Sequence, residues 1–543
     1  MTSTTSNATD PYELVTAASA AFSEPVPADV DVVIVGGGPA GCVLAARLSA
    51  DPHRQVLLLE AGDTTGAEHA SQVPGLAFSL LTGQNAWPDV TEPQTALHNR
   101  PVYLAQGRGL GGGSSMNMMA WFRGHPEDFN GWARSGATGW GWNDVAGTFD
   151  VIEEREPRTG RAGQRGVIAV TPARDVSALP LAFLAGADAA GMPITTDFNG
   201  DVREGAGLFA SNIREGRRDS TVTAYLAPAL HRPNLHVRNG VTVSRIHLTQ
   251  GHATGVLAQT PGGTVTVTAK KVIVTAGAIR TPQLLMLSGI GAAAHLHERG
   301  ISPVIDLPGV GQNLQDHPMI TPMWSVIDGS PLANTVGEAE QSAYTLARRG
   351  PLATLSQAGA IFRTDPDLAA PDVQMTLTLL GLDDTGQLRP DPVITAALSV
   401  LAPTSRGTVR LRPDDPGGQP VIDPRYLTTD HDMAALRAGL RHIERVFRSG
   451  PLKNAIGQAL SITDFADDDE LDSFIRNNAG TEWHPSGTCR MGTSPGTVVD
   501  PDTLLVHGTD NVHIADSSVM PTITRGNIQA PVIMIAERAS TRI

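Results

Sequence analysis

Uninterrupted runs of apolar residues near the start of the chain predict strands that are buried on both faces. Val32–Val35 and Val56–Leu59 are two such runs, and a segment of helical length lies between them. A strand with one face in water would alternate apolar and polar residues, whereas a strand covered by helices on both sides does not. Lys271–Thr275 predicts a third strand of the same kind. The pattern is typical of an α/β fold with a Rossmann-like sheet.

Helical periodicity is clear in the C-terminal part of the chain. Between Asp430 and Ser449, apolar residues recur at intervals of three and four, which predicts an amphipathic helix. These residues are Met433, Leu436, Leu440, Ile443 and Val446. A second helix is predicted to begin at Pro531, because proline is favoured at the first helical position. In the middle of the chain, Asn234–Ile246 predicts two short strands.

The chain is long enough for two domains, because its 543 residues exceed what one hydrophobic core organises. Residues 1–29 are predicted to form an N-terminal tail, with a short helix near Tyr12 to Phe22. No segment has the ~18 consecutive apolar residues that a membrane helix requires. We therefore expect a soluble, cytoplasmic protein without a membrane partner, and the sequence leaves its oligomeric state open.

Charge and cysteine content argue against several functional classes. The chain has 55 acidic and 40 basic residues, and its formal charge of -15 repels nucleic acid and anionic membrane surfaces. We expect small partners that are neutral or cationic. The two cysteines, Cys42 and Cys489, form neither a disulfide framework nor a metal-ligand spacing, so no metal site is predicted.

The segment after the first predicted strand has the spacing of a dinucleotide-binding turn. Gly36 permits the sharp turn, Gly38 lets the main chain approach a pyrophosphate, and Gly41 lets the following helix pack closely on the strand. Pro39 lies at the start of that helix, whose N-terminus stabilises the phosphates. Glu60 ends the second strand, where its carboxylate can accept hydrogen bonds from the ribose hydroxyls. This unit by itself does not distinguish FAD from NAD.

Four further segments decide that question by resemblance. They are Gly107–Gly124, which is rich in glycine and serine, Gly277–Gly291, Leu307–Pro318, and the C-terminal stretches Thr481–Gly492, Asn511–Pro521 and Thr524–Pro531. With them the chain resembles the glucose-methanol-choline (GMC) oxidoreductases from about Asp31 to Ala539. The resemblance implies an FAD-binding domain and a substrate-binding domain of the α+β class, both discontinuous. We expect residues 30–150, 200–318 and 465–543 in the first, and 151–199 and 319–464 in the second.

The resemblance also implies which residues contact FAD. Family members with covalent FAD carry a histidine where this chain has Met116, so non-covalent FAD is expected. Asn117 to Ala120 are expected beside the isoalloxazine, Val243 at the adenine, and Asp516 near the diphosphate. The full set of expected FAD contacts is Gly36, Gly38, Pro39, Ala40, Gly41, Glu60, Ala61, Trp87, Gln106, Leu110, Gly111, Ser115, Asn117, Met118, Ala120, Val243, Trp483, Ala515, Asp516, Ile528 and Gln529.

The catalytic pair implied by the resemblance is His484 and Asn527. Oxidation of an alcohol removes a hydride from carbon and a proton from oxygen, so a base is needed, and a neutral histidine suits that role near pH 7. An amide such as Asn527 can donate to the substrate oxygen and stabilise the developing alkoxide. His317, which precedes a proline in a loop, is interpreted as structural.

We therefore expect FAD-dependent oxidation of an alcohol, most simply a primary alcohol, with O2 or another acceptor taking the electrons. Same-fold alternatives are a hydroxynitrile lyase and a photodecarboxylase. An NAD-dependent dehydrogenase and a catalytically silent flavoprotein are more distant alternatives. The low aromatic content, 4%, argues weakly against an aromatic cage for a quaternary ammonium.

Overall fold

The computed structural model describes residues 10–156, 163, 165–327, 337–355, 357–379, 381, 389, 391 and 393–543. The first nine residues of the predicted tail lie outside this range. Parts of the predicted substrate-binding domain, notably 328–336 and 382–388, lie outside it as well.

Ten helices of eight or more residues occur in the described part of the chain. The helix predicted between Asp430 and Ser449 is confirmed and ends at Phe447. No helix among the described residues combines the length and the apolar composition that a bilayer span requires. The ten helices are Pro11–Ala18, Pro39–Leu48, Pro126–Arg134, Trp142–Ile152, Ala178–Ala189, Gly277–Leu287, Glu338–Ala347, Asp430–Phe447, Asp468–Asn478 and Gln529–Ser540.

The first large sheet carries the predicted dinucleotide-binding unit. Asp29–Val35 lies at its centre and pairs in parallel with Val56–Leu59 on one side and with the end of Gly263–Val274 on the other. The central residues of these strands are fully buried, as the apolar runs predict. Across the sheet the order is Leu235–Arg238, Val56–Leu59, Asp29–Val35, Gly263–Val274, His252–Thr260 and Thr242–Thr249, and Val512–Ile514 pairs with Gly263–Val274 beside this path.

The second large sheet is antiparallel and forms its own hydrophobic core with the helix Asp430–Phe447. Its order is Ile456–Ala459, Met323–Val326, Val393–Val400, Val373–Thr378, Ala358–Phe362 and Gly205–Leu208. Beside this path, Pro318–Ile320 pairs with Val393–Val400 and with Gly480–Thr481. Two of these strands, Gly205–Leu208 and Gly480–Thr481, fall in the ranges predicted for the FAD-binding domain. Hydrogen bonding assigns them to the second sheet, so the predicted boundaries near 200 and 465 do not follow the sheets.

Smaller ladders form outside the two large sheets. Gln312–Leu314 pairs with Gly407–Arg410, which pairs with Val421–Asp423. The remaining two-stranded ladders are Ala86–Trp87 with Gln106–Gly107, Glu153–Glu154 with Ile168–Ala169, Ile213–Arg214 with Arg217–Arg218, and Ile290–Gly291 with Ile305–Asp306.

Two predicted elements differ from the structure. Residues 10–29 are not a tail, because Tyr12, Val15 and Phe22 are buried and the Tyr12 hydroxyl donates to the Arg218 carbonyl. The last helix begins at Gln529 and not at Pro531. Proline is tolerated there, because the first four N–H groups of a helix have no acceptor within it.

Candidate active site

A cavity of about 1310 Å³ lies between the two large sheets. Val35 and Leu59, at the carboxyl ends of first-sheet strands, line one side of it, and Thr376 and Thr395 of the second sheet line the other. Ligands of open α/β sheets bind at this edge, because the turns into the following helices leave a crevice there. Sixteen of the twenty-one expected FAD contacts line the cavity, as do both members of the expected catalytic pair.

The other five expected contacts, Gly41, Leu110, Gly111, Ser115 and Ala515, are absent from the cavity wall. Gly41 is needed for packing, because a Cβ there would lie 2.0 Å from the Gly36 carbonyl oxygen. Ser115 donates through Oγ to the Leu110 carbonyl, so these two residues brace the glycine-rich turn.

Glycines in the cavity wall fit the close approach of a dinucleotide. A Cβ on Gly113 would meet no atom within 4 Å, and one on Gly38 would meet only the Thr275 carbonyl oxygen at 3.8 Å. Packing within the protein therefore does not require glycine at either position. A ligand that lies against the main chain does require it, since a side chain would fill the space. The cavity thus fits the FAD that the sequence predicts.

Glu60 accepts hydrogen bonds from three backbone N–H groups. They belong to Gly37, Gly62 and Gly109, at 2.7, 2.8 and 3.0 Å. The carboxylate thereby joins the first glycine turn to the second glycine-rich segment, although burial raises its pKa. This bracing role was not predicted, since the sequence suggested contacts to ribose hydroxyls.

Asp516 is also fully engaged by the protein. One carboxylate oxygen accepts from the Gly277 N–H at 2.9 Å and from the Thr281 hydroxyl at 2.7 Å. The other oxygen accepts from the N–H and the hydroxyl of Ser518. Asp516 therefore holds the helix Gly277–Leu287 against the C-terminal segment at the cavity wall.

Asn117 is fixed by two neighbours. Its Nδ2 donates to Gln529 Oε1 at 3.0 Å, and Arg218 Nη1 donates to its Oδ1 at 2.6 Å. Arg218 is almost completely buried and also donates to the Asn117 carbonyl at 2.7 Å. The segment expected beside the isoalloxazine is therefore rigidly held, by an arginine for which the sequence analysis assigned no role.

His484 and Asn527 are brought together across 43 positions of sequence. Asn527 Nδ2 donates to His484 Nε2 at 3.3 Å. On the other side of the ring, His484 Nδ1 lies 3.0 Å from Nδ1 of His317. Burial lowers the pKa of His484 to about 3, so its ring is neutral near pH 7. The structure thus adds His317 to the predicted pair, as a fully buried partner.

Asp316 anchors the turn that carries His484. Its carboxylate accepts from the His484 N–H at 2.8 Å and from the hydroxyls of Thr481 and Tyr426. Burial raises the pKa of Asp316 to about 6. In the sequence this segment contributes only to the family resemblance, and no local pattern shows that its acid reaches a backbone group 168 positions away.

Glu482 is a second acid that the sequence analysis did not identify. It lines the cavity, and its Oε2 lies 3.8 Å from Nδ1 of both His317 and His484. Burial raises its pKa to about 7. Between Glu482 and His484, Trp483 has a left-handed backbone with φ of 62°, which is uncommon for a bulky residue and tends to occur at functional sites.

Comparison with known proteins decides the family. Two family models described as GMC oxidoreductase match residues 30–319 and 403–536, well over half of the chain. The chain belongs to the GMC oxidoreductases. The predicted family and the α/β fold with GMC domains are therefore confirmed.

Relatives of this GMC oxidoreductase include dehydrogenases and oxidases. An alcohol dehydrogenase (acceptor) of Pseudomonas putida is 36% identical over 94% of this chain and 95% of its own length. Human mitochondrial choline dehydrogenase is 38% identical over 94% and 88%. The structure of pyridoxine 4-oxidase from Mesorbium loti aligns with a TM-score of 0.85 at 32% identity, over 94% of this chain and 98% of that one.

The cofactor follows from the same comparisons. A formate oxidase of Aspergillus oryzae, studied for modification of its FAD, aligns with a TM-score of 0.88 at 26% identity, over 96% of this chain and 98% of that one. The family and its flavoprotein neighbours support FAD as the cofactor, in agreement with the glycine-lined cavity.

Proposed function

We propose that this GMC oxidoreductase oxidises a primary alcohol to an aldehyde, with His484 as the base and Asn527 as the group that positions the substrate oxygen. The observation that carries the proposal is the contact of 3.3 Å between His484 Nε2 and Asn527 Nδ2 in the cavity wall. An alcohol oxygen placed at this pair would meet one proton acceptor and one hydrogen-bond donor, which are the two groups that the reaction needs.

The neighbours of His484 support Nε2 as the basic atom. A neutral imidazole carries one proton, and the contact between the Nδ1 atoms of His317 and His484 requires a proton on one of them. If His484 Nδ1 donates to His317, then His484 Nε2 keeps its lone pair and faces Asn527. His317 is thus proposed to select the tautomer of His484, and Asp316 to hold its backbone in place.

FAD, when bound, supplies the acceptor for the hydride. Met116 lies in the cavity wall where covalent family members carry a histidine, so we propose non-covalent FAD. The last helix would support the charge of reduced FAD, because its N-terminus at Gln529 lies in the wall and its N–H groups carry partial positive charge. O2 or another acceptor would then take the electrons.

The proposal is tested by recording the absorbance of the purified protein without oxygen while primary alcohols are added, and then admitting air. A yellow protein that is bleached by an alcohol supports the proposal. Rapid recolouring in air with formation of peroxide identifies an oxidase, and slow recolouring identifies a dehydrogenase. A yellow protein that no alcohol bleaches would contradict the proposal and favour the lyase or the photochemical alternative.

A further inference from the structure

Glu482 is a cavity carboxylate whose hydrogen-bonding capacity the described protein does not satisfy. Its Oε1 accepts long bonds from Gln374 Nε2 at 3.4 Å and Asn527 Nδ2 at 3.5 Å, and a hydrogen bond from the Ser399 side chain partly offsets the cost of burying the carboxylate. Its Oε2 is buried and has no hydrogen-bond partner among the described residues. A buried carboxylate in this condition is costly, because an unmet acceptor loses its water without compensation.

The other carboxylates of the described cavity wall are in a different condition. Glu60 accepts three N–H groups, and Asp516 accepts four donors from three residues. Asp89 is ion-paired through Oδ1 with Arg280 at 2.7 Å, although its Oδ2 has no hydrogen-bond partner among the described residues. Each of them has a partner that explains its burial. Glu482 is the acid in this wall that lacks such a partner, and it lies beside the expected reacting pair.

The backbone of Glu482 is firmly held. Its N–H donates to the His317 carbonyl at 3.0 Å, and its neighbour Trp483 has the strained conformation described above. The fixed backbone of this turn therefore places the side chain in the cavity. A rigid, poorly satisfied acid of this kind is suited to bind a ligand that brings donors of its own.

We propose that Glu482 binds a protonated primary or secondary amine of the substrate, so that the preferred substrates are alcohols with an ammonium group on the carbon next to the carbinol carbon. This inference rests on the proposed alcohol oxidation. An N–H donor is indicated because carboxylate oxygens need hydrogen atoms, which a quaternary ammonium does not offer.

The position of the ammonium follows from the contacts of the carboxylate. Glu482 Oε1 belongs to the same hydrogen-bonded group as Asn527, which is expected to hold the hydroxyl. The cation must therefore lie close to the reacting oxygen. Threonines at Thr321 and Thr376 supply further oxygen atoms in the same wall, and the net charge of -15 favours the approach of a cation.

The test uses two pairs of alcohols in which an ammonium replaces a methyl group. The first pair is 2-aminoethanol and 1-propanol, and the second is 2-amino-3-phenylpropan-1-ol and 2-methyl-3-phenylpropan-1-ol. For the FAD-loaded enzyme at pH 8, kcat/KM should be roughly 10- to 100-fold higher for the ammonium member of at least one pair, as expected for a hydrogen bond to a charged group. The ratio of kcat/KM for choline to that for 3,3-dimethyl-1-butanol should be much smaller.

Variants locate the source of the preference. Glu482→Gln should reduce the ratio to near one, and Glu482→Asp should keep part of it. Glu298→Gln removes an acidic charge from an exposed helix and should leave the ratio unchanged. If Glu482→Gln does not bind FAD, the ratios of the unmodified enzyme still decide the question.

The outcomes separate the two levels of the proposal. Oxidation of neutral alcohols with ratios of one or below in both pairs would overturn the role of Glu482 and leave the alcohol oxidation standing. A preference that survives in Glu482→Gln would overturn it as well. Failure of every alcohol, neutral ones included, to bleach the bound FAD would instead refute the proposed function, and the inference with it.

Discussion

The two ends of the cavity treat buried carboxylates in opposite ways. At the dinucleotide end, Glu60 and Asp516 receive seven donors between them, of which five are backbone N–H groups and two are hydroxyls. At the reacting end, Glu482 receives two long contacts and a hydrogen bond from the Ser399 side chain, and it faces two neutral imidazoles. At the dinucleotide end the protein itself satisfies the buried carboxylates, whereas at the reacting end Glu482 remains poorly satisfied.

The difference indicates how this fold divides its tasks. The cofactor end must hold a large ligand in one position, so its acids stabilise the protein itself. In the proposed reaction, the reacting end must change its protonation and exchange small ligands, so full satisfaction by protein groups would work against that reaction. Asp316 is intermediate, since it lies near the reacting end but serves as a frame for the turn that carries His484.

The largest effect is expected from His484→Gln, which breaks the reacting end alone. Loss of the base should slow reduction of FAD by alcohol about 100- to 10,000-fold. Bound FAD should remain, because the residues that frame the dinucleotide are unchanged. Stopped-flow absorbance at 450 nm measures the rate, and His297→Gln, on an exposed helical position, is the matched control. Reduction at the normal rate in the variant would remove His484 from the mechanism.

A smaller effect is expected from Asp516→Asn, which breaks the frame. An asparagine can accept at one oxygen only, so buried donors from Gly277 and Thr281 or from Ser518 lose their acceptor, at about 1–3 kcal/mol each. Both the unfolding temperature and the amount of FAD retained after purification should fall. An unchanged FAD content together with an unchanged unfolding temperature would show that this end tolerates unsatisfied groups too.

The smallest effect concerns the stability of the reacting end as a function of pH. The pKa of Glu482 is about 7 in the folded protein, above the value of about 4.3 in an unfolded chain. Ionisation of Glu482 therefore costs stability, and the cost is absent below about pH 4 and complete above about pH 7. Glu482→Gln carries no such cost.

The unfolding temperature of Glu482→Gln minus that of the unmodified protein should accordingly be larger at pH 8.5 than at pH 5, by roughly 1–3 °C. Differential scanning calorimetry at the two pH values gives the answer, with Glu298→Gln as the exposed control. The same difference at both pH values would indicate that protein groups already satisfy Glu482, against the contrast between the two ends.

Local patterns were sufficient for the main helices and strands. The buried strands, the glycine turn and the helix Asp430–Phe447 follow from apolar periodicity and from the conformational freedom of glycine, which act over a few residues. The resemblance to GMC oxidoreductases placed His484 and Asn527 in one site, and the structure has them in contact. Where the local rule was less strict, the prediction failed: the first turn of the last helix accepts proline at its third position as well as its first.

The sequence by itself thus determined the class of fold and the dinucleotide-binding unit, and it indicated the two residues that are expected to react. Only the tertiary structure decided that His317 touches His484, that Asp316 anchors its backbone and that Glu482 is left poorly satisfied beside it. The physical reason is the distance along the chain over which each property is set. Strand burial and turn geometry depend on residues that are neighbours in sequence. The pKa of a buried acid and the number of hydrogen bonds that it accepts depend on which distant segments surround it and on the donors that they supply.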